Sequence, residues 1–295
     1  MLAPVIAGVD GSAESLAAAE WAAREAARRG RTLRLLHAWQ RGSHPDRDAS
    51  QGAVRRHLAR RVLRQAEDRV RAECPGTRVD DEQVEGPATE ALLHAAERAD
   101  LLVLGSRGLS GFTGFLVGSV ALDVVARATR PVVLVRAGEE AADEHLPAAD
   151  GDASTRTGYR DVVLGVDVAD ACDEVMGFAF EEARLRHARL RAVYARHTGA
   201  FGQDNGSDAD LCRDLLADVL TVWRDKYPDV DVLATVATGR AQSVLMRAAS
   251  GASLLVVGHR LAERPVGPRT GPVTHSVVHH VDCPVAVVPH AGEQY

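Results

Sequence analysis

The sequence predicts an α/β protein of two tandem doubly wound domains, each a five-stranded parallel sheet flanked by helices. Three observations predict it. Short apolar runs alternate with longer helical patterns along the chain. The alternation occurs twice, as an internal repeat. A stretch poor in large apolar residues separates the two copies.

In the first copy, Val5–Val9, Leu33–Ala38, Val79–Glu85, Leu101–Leu104 and Val132–Val135 read as strands. They are rich in Val, Leu and Ile with little alternation, as strands covered on both faces require. Helices are expected near Ser12–Arg29, Gly52–Glu73, Pro87–Arg98 and Gly118–Ala128. Ser12 suits the N-cap of the first. Pro131 closes the last, because the residue before proline avoids helical geometry. Right-handed crossovers then follow, with ligands expected at the carboxyl edge of the sheet.

The repeat is plain in the residues. LLVLG (Leu101–Gly105) matches LLVVG (Leu254–Gly258), and GSVALDVVARATRPVVLV (Gly118–Val135) matches GPVTHSVVHHVDCPVAVV (Gly271–Val288). VIAGVDGS (Val5–Ser12) pairs with VVLGVDVA (Val162–Ala169), and LRLLHAW with LRAVYAR. The intervening segment is acidic and Ala-rich. The expected organisation is a domain over 1–137, a flexible linker over 138–157 and a domain over 158–295.

Composition narrows the function. The chain has 295 residues, 46% hydrophobic and 26% charged, with a formal net charge of -6. That balance argues against a general nucleic-acid binder. Lys226 is its single lysine, so a P-loop lysine and a Schiff base are excluded elsewhere. Cys74, Cys172, Cys212 and Cys283 form no CxxC pair or metal-ligand spacing. The start lacks a signal-peptide pattern and no apolar run is long enough to span a bilayer, so a cytoplasmic location is expected.

The stretch GSRGLSGFTGFLVGS (Gly105–Ser119) joins a strand to a helix start. Glycine lets backbone approach a ligand, and a helix N-terminus offers unpaired N–H groups to an anion. Ser119 adds a hydroxyl and Arg107 a charge. The loop is neither GxxxxGK[ST] nor GxGxxG. On spacing alone, a phosphate site and a plain surface loop both stay open.

Gly105-x2-Gly108-x9-Gly118-Ser119 resembles the nucleotide-binding signature of the universal stress protein (UspA) family. VIAGVDGS, LRLLHAW, ADLLVLGSRG and RPVVLV resemble that family's strands, so the resemblance covers nearly all of residues 1–136 and most of 158–290. It implies a Rossmann-like, adenine nucleotide alpha hydrolase-like fold that binds ATP. Gly8, Val9, Asp10 and Ala38 would meet the base and ribose, with Leu104 bordering the base. Gly105, Arg107, Gly108, Gly118, Ser119 and Val120 would wrap the ribose and phosphates. Asp10 would hold Mg2+ together with phosphate oxygens. Ala121 departs from relatives that carry a hydroxyl there. A turn or cap role is the structural alternative for Asp10, and a simple N-cap for Ser119.

The second copy keeps Asp167, Gly258 and Gly271, but has Leu261 and Pro272 where the first has Gly108 and Ser119. Proline at a first helical turn fits sterically but removes an N–H donor. Val168, in GVDVA, is expected to narrow the entrance. Weak or absent ATP binding is expected there.

His275 and His279 have zinc-compatible i, i+4 spacing but no companion ligand, so a polar or interface face is the simpler reading. Ser110 is no nucleophile elbow. The apolar last strands suit edge pairing, and the resemblance implies an internal pseudo-dimer and association of two chains. The expectation is a non-enzymatic, ATP-binding stress or signalling regulator. A slow ATPase or adenylating enzyme, and a scaffold without ligand, stay open as alternatives.

Overall fold

The computed structural model describes residues 2–40, 48–106, 117–196, 206–261 and 270–291. It divides into two compact units, Met1–Glu139 and Glu140–Tyr295.

The first unit runs β1 (Val5–Gly8), α1 (Ala13–Arg28), β2 (Leu33–Trp39), α2 (Asp48–Glu73), β3 (Val79–Glu85), α3 (Ala88–Ala96), β4 (Leu101–Ser106), α4 (Ser119–Arg127) and β5 (Val132–Arg136). Its five strands pair in parallel in the order β3-β2-β1-β4-β5. Val5 lies opposite Leu33 on one side and Leu101 on the other. The order turns back at β1, so the carboxyl ends of β1 and β4 flank the crevice of a doubly wound sheet. The core consists of strand residues such as Ile6, Leu35 and Leu102 packed with Trp21 and the alanines of α1, all essentially inaccessible to solvent.

The second unit repeats this with β6 (Val162–Val166), α5 (Asp173–Arg186), β7 (Leu190–Arg196), α6 (Gly206–Lys226), β8 (Val232–Thr238), α7 (Ala241–Ala249), β9 (Leu254–Arg260), α8 (Pro272–His280) and β10 (Val285–His290). These strands pair in parallel as β8-β7-β6-β9-β10. In both units, buried β-branched and leucine side chains fix the register.

The first helix of each unit ends alike. After α1, Gly30 takes a φ of +60°, and its N–H and that of Arg31 bond the carbonyls of Ala27 and Ala26 at 3.2 and 2.8 Å. This left-handed cap satisfies carbonyls that the helix end leaves open. His187 holds the same turn after α5, at φ 49°, through equivalent bonds of 3.1 and 2.9 Å. Each helix also buries a glutamate. Glu25 meets Arg28 at 3.1 Å and Arg29, which reaches Asp100 at 2.9 Å. Glu182 pairs with Arg186, both excluded from solvent.

The segment read from the sequence as a flexible linker, 138–157, carries hydrogen-bonded structure. Ala141–Glu144 form a 3-10 turn capped reciprocally by Glu140 and Asp143. His145 bridges to Tyr159, packs against its ring at 4.0 Å with a tilt of 35° and bonds the Thr157 carbonyl at 2.7 Å. Glu144 and His145 are buried, which an acidic, Ala-rich composition gives no sign of. Among the described residues, no helix is long and apolar enough to cross a membrane.

Candidate functional site

A cleft of about 260 Å³ opens at the carboxyl edge of the first sheet. The end of β1 supplies Gly8, Val9 and Asp10; β2 supplies Leu36 and Ala38; β4 supplies Leu104 and Gly105. The first turn of α4 closes it with Gly118, Ser119 and Val120. The sequence-predicted residues therefore converge, except that Arg107 and Gly108 lie outside the described residues. Ser12, Ser15, Ala88 and Leu92 also line the cleft and were missed, as was Leu36. Leu36 could have been found by alternation from Ala38, and Ala88 with Leu92 by i, i+4 spacing.

Asp10 is set by a turn. Its Oδ1 accepts from the Ser12 N–H at 3.0 Å and the Ser12 hydroxyl at 2.5 Å. Ser12 then caps α1, accepting from the Ser15 N–H at 3.2 Å, and the Ser15 hydroxyl reaches back to the Ser12 carbonyl at 3.0 Å. The turn reading of Asp10 and a site role are thus compatible: the carboxylate is exposed at the cleft and held in place. Nδ1 of His37 lies 2.7 Å from the Val9 carbonyl, where it donates to it and braces the ends of β1 and β2.

Two expectations change in physical meaning. Gly105 lies within β4, with no positive φ. A Cβ there would sit 2.6 Å from the backbone carbon of Glu14 and 2.7 Å from the Ser15 nitrogen. Glycine is required because α1 presses directly on β4. Ser119 is the first helical residue rather than the cap; Gly118 is the N-cap and supplies no side-chain acceptor. The first turn of α4 also has no acidic residue. The N-terminal end of α4, with the partial positive charge of a helix start, therefore borders the cleft without an acidic residue in its first turn.

Among the described residues, Asp10 is the one carboxylate lining this cleft and no cluster of three metal-ligating side chains occurs. That donor set fits Mg2+ only when phosphate oxygens complete the coordination.

The second unit has a cleft at the same edge, about 620 Å³. Gly165, Val166, Val193, Ala195 and Val257 repeat the first cleft's apolar end. Val168 does not line it, so the expected narrowing is not found. Its helix also starts later. Asp170–Cys172, counterparts of Ala13–Ser15, precede α5, whose N-cap Cys172 makes no side-chain capping bond. Ala169 replaces the capping Ser12. At Gly258 a Cβ would meet side chains, Val175 and His290, at 3.2–3.3 Å. Pro272 occupies the first turn of α8, as the sequence predicts. The rings of His275 and His279 meet at 4.5 Å with a tilt of 57°, without forming a metal cluster among the described residues.

In a doubly wound sheet, the crevice at the switch point beside the carboxyl ends of the strands is where ligands of such folds bind. The profile of the universal stress protein family matches residues 1–136 and 158–289. The chain belongs to the universal stress protein family. It is 30% identical over 300 residues to a universal stress protein of Mycolicibacterium smegmatis, covering 96% of each chain. The fold is similar to the crystal structure of a universal stress protein from Archaeoglobus fulgidus, with TM-score 0.71, 17% identity and coverage of 97% and 98% of the two chains. A universal stress protein crystallised with cAMP is 31% identical, covers 46% of this chain and 98% of its own, and has TM-score 0.38.

Proposed function

We propose that the first unit binds ATP and that the protein acts as a nucleotide-dependent regulator rather than as an enzyme. The observation carrying this reading is the first turn of α4, which lines the cleft with no side-chain cap and no acidic residue. A phosphate supplies the missing acceptor. Val9, Leu36, Ala38 and Leu104 offer the adenine an apolar slot. Asp10, fixed by Ser12, is positioned to hold Mg2+ against phosphate oxygens.

Bound nucleotide would act by favouring one conformation or partner complex over another. Thermal unfolding tests the reading. ATP at 100 times its Kd adds about 2.7 kcal/mol to the stability of the state that binds it. The midpoint should rise with ATP in the natural protein and stay fixed in Gly118→Val, where a branched side chain covers the phosphate turn. Asp10→Ala should lose the Mg2+-dependent part of the rise. Equal shifts in all three proteins would refute the site.

A further inference from the structure

Helices α2 and α6 hold equivalent places in the two units, each joining the second strand of its unit to the third. Their charges are opposite. Residues 49–66 of α2 include Arg55, Arg56, Arg60, Arg61 and Arg64 and no Asp or Glu. The length of α6 carries Asp208, Asp210, Asp214, Asp218 and Asp225.

Each helix also leaves large apolar side chains in water. Val54 and Leu58 of α2 are 58% and 50% exposed. Leu211, Leu215 and Val222 of α6 are 58%, 43% and 70% exposed. In both helices these residues fall on one line at i, i+4, i+7 and i+11 spacing. The line reads Val54, Leu58, Arg61, Gln65 on α2 and Leu211, Leu215, Asp218, Val222 on α6. The core is served by the other side of each helix, through Leu63 and Val70 in one and Leu216 and Leu220 in the other. The apolar lines therefore have no role inside their own units.

The charges beside these lines are available. Arg61 and Arg64 are exposed, as are Asp214 and Asp218, and none of the four forms an ion pair among the described residues. The basic groups of α6 are engaged elsewhere. Arg213 pairs with Asp210, Arg224 donates to the Val232 carbonyl at 3.2 Å, and Lys226 lies over the Trp223 ring at 4.6 Å. On α2 the first acids, Glu67 and Asp68, come after the apolar pair, and Glu67 is held by Arg71.

We propose that this chain self-associates by docking the outer face of α2 on the outer face of α6 of a second copy. Each face is exposed within the chain, so the surface that covers it belongs to another molecule. The complement of each face is present on the other: arginines meet aspartates, and the two apolar lines are buried against each other. Two α2 faces would bring arginines together and two α6 faces aspartates, so the contact joins unlike faces.

Analytical ultracentrifugation of the full chain over a concentration series tests this. The natural protein should associate reversibly, and screening by salt should weaken the association about tenfold. R61D/R64D and D214R/D218R should each associate about a hundredfold more weakly, because each variant presents two faces of like charge. All four positions are exposed, so the thermal midpoints should match that of the natural protein. A 1:1 mixture of the two variants should regain the natural affinity. The acidic α2 of one then meets the basic α6 of the other, and the remaining two faces keep their natural charges. Rescue by mixing is not what a damaged fold or an unrelated interface would give. The proposal is overturned if the natural protein stays monomeric at every concentration. It is overturned equally if either reversed variant associates as tightly as the natural protein, or if the mixture associates no better than its components. A chain that stays monomeric while its α2 face binds vesicles of anionic lipid would also overturn it.

Discussion

The two units carry one template and differ where their first helix begins. In the first, Asp10 holds Ser12, Ser12 caps α1, and α1 starts at Ala13 close against Gly105. In the second, Ala169 offers no hydroxyl, α5 starts at Asp173, and the cleft grows from about 260 to about 620 Å³. The strands and their register are alike in both. A sheet edge can therefore be retuned by a few residues at a helix start, while the buried core that defines the fold stays intact.

The largest contrast between the units should come from the buried glutamates. Glu182→Ala leaves Arg186 buried without its carboxylate, a loss of about 3–5 kcal/mol. Glu25→Ala should cost less, because Arg28 and Arg29 keep 10% and 11% side-chain exposure and Arg29 retains Asp100. Denaturant unfolding compares them, and equal losses would break the contrast. Next, Gly105→Ala drives a Cβ into the α1 backbone and should cost about 1–3 kcal/mol. Gly258→Ala meets only side-chain atoms and should cost less than about 1 kcal/mol.

Smaller effects sharpen the comparison at the helix ends. His187→Gly should gain about 1 kcal/mol by relieving a side chain from left-handed backbone, and Gly30→His should lose a similar amount. Ser12→Ala should cost about 1 kcal/mol through the lost cap of α1. Cys172→Ser, which gives α5 a capping hydroxyl, should gain about half as much. Thermal midpoints of these variants read both signs.

The fold was legible because apolar runs and their repetition leave few topologies open. Val5–Val9 and Leu33–Ala38 announce buried parallel strands almost by composition. Polar boundaries were less legible: α2 begins at Asp48 rather than near Gly52, in a stretch where charge hides the helical period. At the site, Gly118 and Ser119 were legible as a helix start after a Gly-rich loop, and Asp10 through the family resemblance. The packing role of Gly105 could not, because it depends on how closely α1 approaches in three dimensions. Nor could the width of the second cleft. Val168 suggests crowding locally, yet it does not line the cleft.

The count of ATP molecules on the intact chain tests the central claim most directly. Native mass spectrometry with ATP and Mg2+ should show one ATP per chain, lost in Gly118→Val and kept in Gly271→Val. Two ATP molecules per chain, or a single one that survives Gly118→Val and disappears in Gly271→Val, would contradict the assignment of the nucleotide to the first unit.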